Sequence, residues 1–126
     1  MTPIHLFDIA SQQARWLSTR QATVASNIAN ANTPGFTARD VRPFQDILDR
    51  TQLTMVSTNP MHIPGGPPDL RATTTQTADP WETTTSGNTV SLEQEMMKAG
   101  EVSRSYSLNT NIVKAFNAML LASVKG

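Results

Sequence analysis

The side chains that most often carry out chemistry are sparse in this chain of 126 residues, and their spacing assembles no mechanism. His5 and His62 are the imidazoles. His5 falls in the first turn of an expected helix and His62 in a proline-rich stretch, without the spacing of a metal site. Glu93 and Glu95 stand two apart on an expected helix and so point to different faces. They read as partners of the positive end of that helix rather than as an acid–base pair. Gly65-Gly66 lacks the lysine and following helix of a phosphate loop. Ser103, Ser105 and Ser107 have no histidine nearby to activate them. Cysteine is absent, which removes disulfides, thiolate catalysis and thiolate-held metals. The expectation is a protein with no catalytic site, no metal and no cofactor.

Bulk properties narrow the class further. Lysine plus arginine equals aspartate plus glutamate, at 10 each. A nucleic-acid binder needs surplus positive charge to displace phosphate counterions, so that class is set aside. Aromatic residues are few: Phe7, Trp16, Phe36, Phe44, Trp81, Tyr106 and Phe116 are expected to supply most of the bulky burial. A core built on them is thin, which points to burial against partners. The first residues, Met-Thr-Pro-Ile-His-Leu-Phe-Asp, carry no basic leader or long apolar run, so no secretory signal peptide is expected. No stretch approaches the roughly 20 apolar residues that span a bilayer.

Three segments must position whatever the chain does. From about Ile4 to Ala31, Phe7, Ala10, Ala14, Leu17, Val24, Ile28 and Ala31 recur at steps of three and four, interrupted by Gln21. That is the seam of a coiled coil. Thr2 suits an N-cap and Pro3 the first helical position. Pro34 and Gly35 stop the helix, with Gly35 placed for the positive φ of a type II turn. From about Leu92 to Val124, a second helix carries Leu92, Met96, Ala99, Val102, Tyr106, Val113, Phe116 and Leu120 as its expected core face. Ser91 and Gln94 match a capping box. Leu108, Ile112, Ala115, Met119 and Ala122 form another apolar stripe. One helix with two stripes packs against two neighbours, and one of these must be another chain.

The middle, about Asn32 to Thr89, holds seven of the eight prolines. Pro43 to Arg50 is expected to form a short helix with Phe44, Ile47 and Leu48 on one side. Thr51–Val56 and Arg71–Thr77 have weak strand character, and the rest reads as extended or loop. The fold class expected is mainly α, with N- and C-terminal helices paired as an antiparallel coiled coil. Its loop-rich middle holds a short helix and a weak β-hairpin. The chain is expected to be one unit: helix over 1–31, Pro/Thr-rich segment over 32–89, helix over 90–126.

One string is more specific than its parts. Asn27-Ile28-Ala29-Asn30, followed by Thr33-Pro34-Gly35-Phe36, resembles the N-terminal signature of the flagellar axial family of rod, hook and hook-associated proteins. Asn27 and Asn30 share a helix face, where their amides suit a helix end or a subunit contact. Gly87, Asn88, Val90, Leu92, Glu95 and Met96 look like that family's entry to its C-terminal helix, and Tyr106, Val113, Phe116 and Leu120 like its continuation. The short middle, with Arg39-Asp40-Val41, Phe44 and Asn59-Pro60-Met61-His62-Ile63, is most similar to the proximal rod proteins. The sister rod protein FlgC is the near competitor, and a helical secreted adaptor or binding module the more distant one.

The resemblance implies a structural, self-assembling subunit of the bacterial basal-body rod, the hollow drive shaft that transmits torque and conducts exported subunits. It implies export through the flagellar type III apparatus and a periplasmic location. The partners implied are copies of itself, other rod proteins, the adaptor FliE, the inner-membrane ring and the export gate. No nucleic acid or small-molecule substrate is expected.

Overall fold

The computed structural model describes residues 3–51 and 75–126. In chain order these form α1 (Pro3–Ala29), β1 (Arg39–Val41), α2 (Phe44–Thr51), β2 (Thr75–Thr77) and α3 (Leu92–Lys125). The fold is mainly helical, with α1 and α3 packed together over their length. Phe7 meets Phe116, the Ala10 carbonyl meets Asn109, and Arg20 meets Glu101, so the two helices run antiparallel.

Local chemistry explains where each helix begins and ends. Pro3 opens α1, where its missing N–H costs nothing. At the other end Asn30 N–H is shared between the carbonyls of Ser26 (3.2 Å) and Asn27 (3.1 Å), and Ala31 N–H bonds to Ile28 O at 3.2 Å. These tighter bonds satisfy the last turn. Thr33 to Phe36 then reverse the chain, with Phe36 N–H on Thr33 O at 3.2 Å and Gly35 at φ 72°. Proline followed by a left-handed glycine is the type II arrangement. Ser91 caps α3 and accepts Gln94 N–H at 3.4 Å. The Gln94 side chain does not complete the expected capping box; it donates to Asp79 O at 2.9 Å and ties the preceding loop to the helix. The proposed Thr2 cap lies outside the described residues.

The seam between the long helices is narrow. Ala10, Leu17 and Val24 are buried on α1 at seven-residue intervals, and Phe7 and Ala14 are half-buried. On α3, Val102 and Asn109 are buried, while Val113, Phe116 and Leu120 are half-buried. Four residues expected on this seam lie outside it: Leu92, Met96, Ala99 and Tyr106 are exposed. The expected series Leu120, Val113, Tyr106, Ala99, Leu92 steps back by seven. Each such step falls about 20° short of two full turns. The series therefore rotates off the buried face as it approaches the N-terminus of α3. Glu95 and Lys98 take the inward positions there. On α1, Ile28 is likewise turned outward at 41% exposure, and Asn27, at 1%, occupies the inward position.

The strand pairing differs from the hairpin expected in the middle. β2 falls inside the expected stretch Arg71–Thr77, but its partner is β1, antiparallel, with Asp40 opposite Gln76. Thr51 closes α2, and the rest of the expected strand Thr51–Val56 lies outside the described residues, as do His62 and Asn59-Pro60-Met61. The short helix forms as expected. Its Phe44 ring packs against Trp16 at 5.9 Å, and Trp16 Nε1–H donates to Arg42 O at 2.7 Å. The ribbon and its flanking turns enclose a second small core of Ala38, Ala78 and Val90, with Ala31 and Phe36 against it.

Candidate functional site

The two motif strings, far apart in sequence, are knitted into one junction where α1 ends and α3 begins. Asn27, fully buried, spends both ends of its amide on the backbone of Arg39. Nδ2 donates to Arg39 O at 2.7 Å, and Oδ1 accepts Arg39 N–H at 3.1 Å. A side-chain amide can therefore stand in for a neighbouring strand, which a buried Ile28 could not do. Asn88 does the same from the other side. Its Nδ2 donates to the carbonyls of Asn30 (2.9 Å) and Thr33 (2.8 Å), and its Oδ1 accepts Val90 N–H at 2.8 Å.

Around these amides the main chains of both strings touch. Gly35 N–H donates to Ser86 O at 2.9 Å, Thr89 N–H to Phe36 O at 3.0 Å, and Ala38 N–H to Thr89 Oγ1 at 2.8 Å. Gly87 is left-handed at φ 82°, and a Cβ there would lie 3.6 Å from Gly35 Cα. Both turns therefore need glycine for their backbone conformation. Asn30 bonds locally, donating to Ser26 O at 2.8 Å and accepting from Thr33 Oγ1 at 3.2 Å. Within the chain, both amides bond to groups around the helix end. Pro34 and Ala29 are exposed and Phe36 half-buried.

A chain of charges lies beside the junction. Arg20 Nε sits 3.3 Å from Asp40 Oδ1 and its Nη1 sits 3.4 Å from Glu101 Oε2. Lys98 Nζ lies 3.4 Å from Asp40 Oδ2 and 3.6 Å from Glu95 Oε1. Glu95 is completely buried, and its oxygens and Lys98 Nζ make no hydrogen bond; they meet as charges. This chain bolts α1, β1 and α3 together. Arg20 also lies 5.5 Å above the Trp16 ring. Sequence reading missed the set because its members come from three segments at irregular separations. Periodicity points to apolar faces and is blind to such a cluster.

The remaining candidates lie on surfaces. Leu108, Ile112 and Met119 are exposed at 61%, 46% and 61%, as are Ala115 and Ala122. The second stripe of α3 is thus bare while the adjoining face packs on α1. Leu121 and Val124, on another side of α3, are also exposed. Trp81, Met96 and Met97 form a separate exposed apolar patch near the N-terminus of α3. Trp81 and Tyr106, expected to supply burial, are exposed. Among the described residues, no group of three or more His, Cys, Asp or Glu side chains gathers to hold a metal. No described helix is long and apolar enough to cross a membrane.

The comparisons with known proteins give the chain a family. Residues 12–37 match the family described as flagella basal body rod protein. The chain is 47% identical over 131 aligned positions to the flagellar basal body rod protein FlgB of Agrobacterium fabrum, covering 99% of this chain and 96% of that protein. It is 33% identical to FlgB of Aeromonas hydrophila, covering 86% of this chain and 84% of that protein. FlgB of Escherichia coli K12 is also 33% identical, with 71% of each chain covered. The chain belongs to the FlgB family of flagellar basal body rod proteins. It is a structural rod subunit, which assembles with other components of the basal-body rod. A FlgB protein carries similarity over nearly the full chain. Membership in a structural family argues against an enzyme.

Proposed function

We propose that this FlgB-family chain acts at the proximal end of the rod, and that α1 and α3 pair there as the inner layer of a hollow shaft. The observation that carries the proposal is the bare stripe Leu108–Ile112–Met119 on a helix whose adjoining face is already occupied by α1. Patches of this kind on soluble chains mark contact sites. In the shaft the stripe packs on neighbouring subunits. The junction holding Asn27, Asn88, Gly35 and Gly87 fixes the angle at which the middle segment leaves the helical pair. The motif residues act in assembly by setting that angle. The whole chain serves as one such unit.

The same reading assigns export through the flagellar type III apparatus, assembly in the periplasm and contacts with FliE, the inner-membrane ring and the export gate. Absent cysteine suits passage through an oxidising compartment. The shaft transmits torque and conducts exported subunits; the chain catalyses nothing and binds neither nucleic acid nor a small-molecule substrate. The test is motility and basal-body purification from a bacterium lacking this chain. Loss of swimming with rings but no rod, restored by the intact gene, is the expected result. Complete basal bodies, in a strain without a duplicate gene, would overturn the proposal.

A further inference from the structure

We infer that the free chain rests on anionic membrane surfaces through the C-terminal half of α3, with the bare stripe against the lipid and the lysines among the headgroups. Charge is unevenly placed along the chain. Residues 102–126 contain Arg104, Lys114 and Lys125 and no aspartate or glutamate, a net charge of +3. The whole chain is neutral, so residues 1–101 carry −3. The part of α1 alongside, where Phe7 meets Phe116, adds Asp8 and Arg15, which offset each other. The end of the helical pair away from the β-ribbon is therefore basic.

The cations stand where a bilayer needs them. Arg104, Leu108 and Ile112 are spaced by four and share one face. At about 100° per residue, Lys114 and Lys125 fall within about 20° of each other and roughly 110° round the helix from the centre of the stripe. On the other flank of the stripe, Val102, Asn109 and Phe116 pack towards α1. The stripe is thus bordered by a packed helix on one side and by a row of exposed lysines on the other. Long lysine stems lie along apolar surface while their charged ends reach outward to phosphate.

This pattern fits one kind of partner. Leu108, Ile112 and Met119 need hydrocarbon to cover them, and the adjoining cations need anions; a bilayer with anionic headgroups supplies both. A nucleic acid would offer phosphates and leave the stripe bare. No described helix is long and apolar enough to cross a membrane, so the contact is one in which α3 lies along the surface. Each cation near an anionic surface strengthens binding on the order of fivefold, so three give a reversible attachment. The contact belongs to the free chain and does not depend on the rod reading. Neighbouring subunits that take the stripe displace the lipid, which makes the membrane-bound and assembled states alternatives.

The test floats the purified full-length chain with vesicles of phosphatidylcholine alone or of equimolar phosphatidylcholine and phosphatidylglycerol. Binding to the anionic vesicles should be tighter on the order of a hundredfold at low salt, and Lys114→Gln/Lys125→Gln should weaken it on the order of twentyfold. Both lysines are exposed, so the double variant keeps the fold. Binding to neither vesicle, equal binding to both, or no loss in the double variant overturns the inference and leaves the rod reading standing. Orientation is read separately. The chain has no cysteine, so Ile112→Cys and Asn117→Cys each accept one environment-sensitive dye. Asn117 is exposed on the side of α3 away from the stripe. The dye at 112 should shift to the blue on anionic vesicles and the dye at 117 should stay in water. A shift at 117 as large as that at 112, or a shift at neither, overturns the inference.

Discussion

At the scale of single residues, this chain uses asparagine amides where a larger protein would use another strand. Asn27 satisfies both polar groups of one backbone residue, Arg39, from within a buried position. Asn27→Ala would leave a buried donor and acceptor unpaired and should cost about 1–3 kcal/mol. Urea unfolding of the purified chain measures this, and a loss below a few tenths would show that the amide is dispensable. The charge chain makes a sharper claim. Lys98 is the near cation for fully buried Glu95. Removing one partner of a buried pair costs about 3–5 kcal/mol, whereas replacing the whole group with apolar residues is often neutral. Lys98→Met should therefore destabilise much more than Lys98→Met combined with Glu95→Leu. Equal losses in the two variants would mean that the charges are not coupled.

At the scale of elements, the seam between α1 and α3 is specified by polar positions set among small apolar ones. Asn109 occupies an inward position of α3 and donates to Ala10 O at 3.1 Å across the seam. A buried asparagine in a helical pair fixes register at a cost in stability. Asn109→Leu should raise the unfolding midpoint yet reduce incorporation into rods, because alternative alignments of the helices become accessible. A variant that is destabilised, or that assembles normally, would refute the register role. This heptad logic was only half legible beforehand. Spacing located Ala10, Leu17, Val24, Val102 and Phe116 on the seam, but it assigned Leu92, Met96 and Tyr106 there too. All three are apolar and fall at steps of three and four with their neighbours in the expected series. Only the accumulated rotation of a nearly straight helix, and the Glu95–Lys98 pair inside it, tells them apart.

At the scale of the whole molecule, most large apolar groups of α3 face solvent, and folding alone buries little. Ile112→Asp should change the stability of the isolated chain by within about 0.5 kcal/mol, as for surface sites generally. It should nevertheless abolish motility and rod formation. A swimming strain with normal rods would remove the stripe from the assembly interface. The same thinness predicts that both terminal helices exchange their amides readily in the dilute free chain and become protected on assembly, as segments ordered by partners do. Strong protection of both helices in the monomer, measured by hydrogen exchange, would contradict this.

Sequence by itself determined the two long helices, the short α2, the turn at Pro34-Gly35, the doubly apolar character of α3 and the family. These depend on local periodicity, on fixed φ preferences and on a contiguous motif. Tertiary structure alone decided the β1–β2 pairing, the Asn27–Arg39 and Asn88–Thr33 bonds, the Arg20–Asp40–Lys98–Glu95 chain and the outward turn of Ile28, Met96 and Tyr106. Each of those joins residues distant in sequence or selects between adjacent positions on one helix. Such choices rest on which polar backbone groups need partners once the chain has folded, and no spacing rule along one chain records that need.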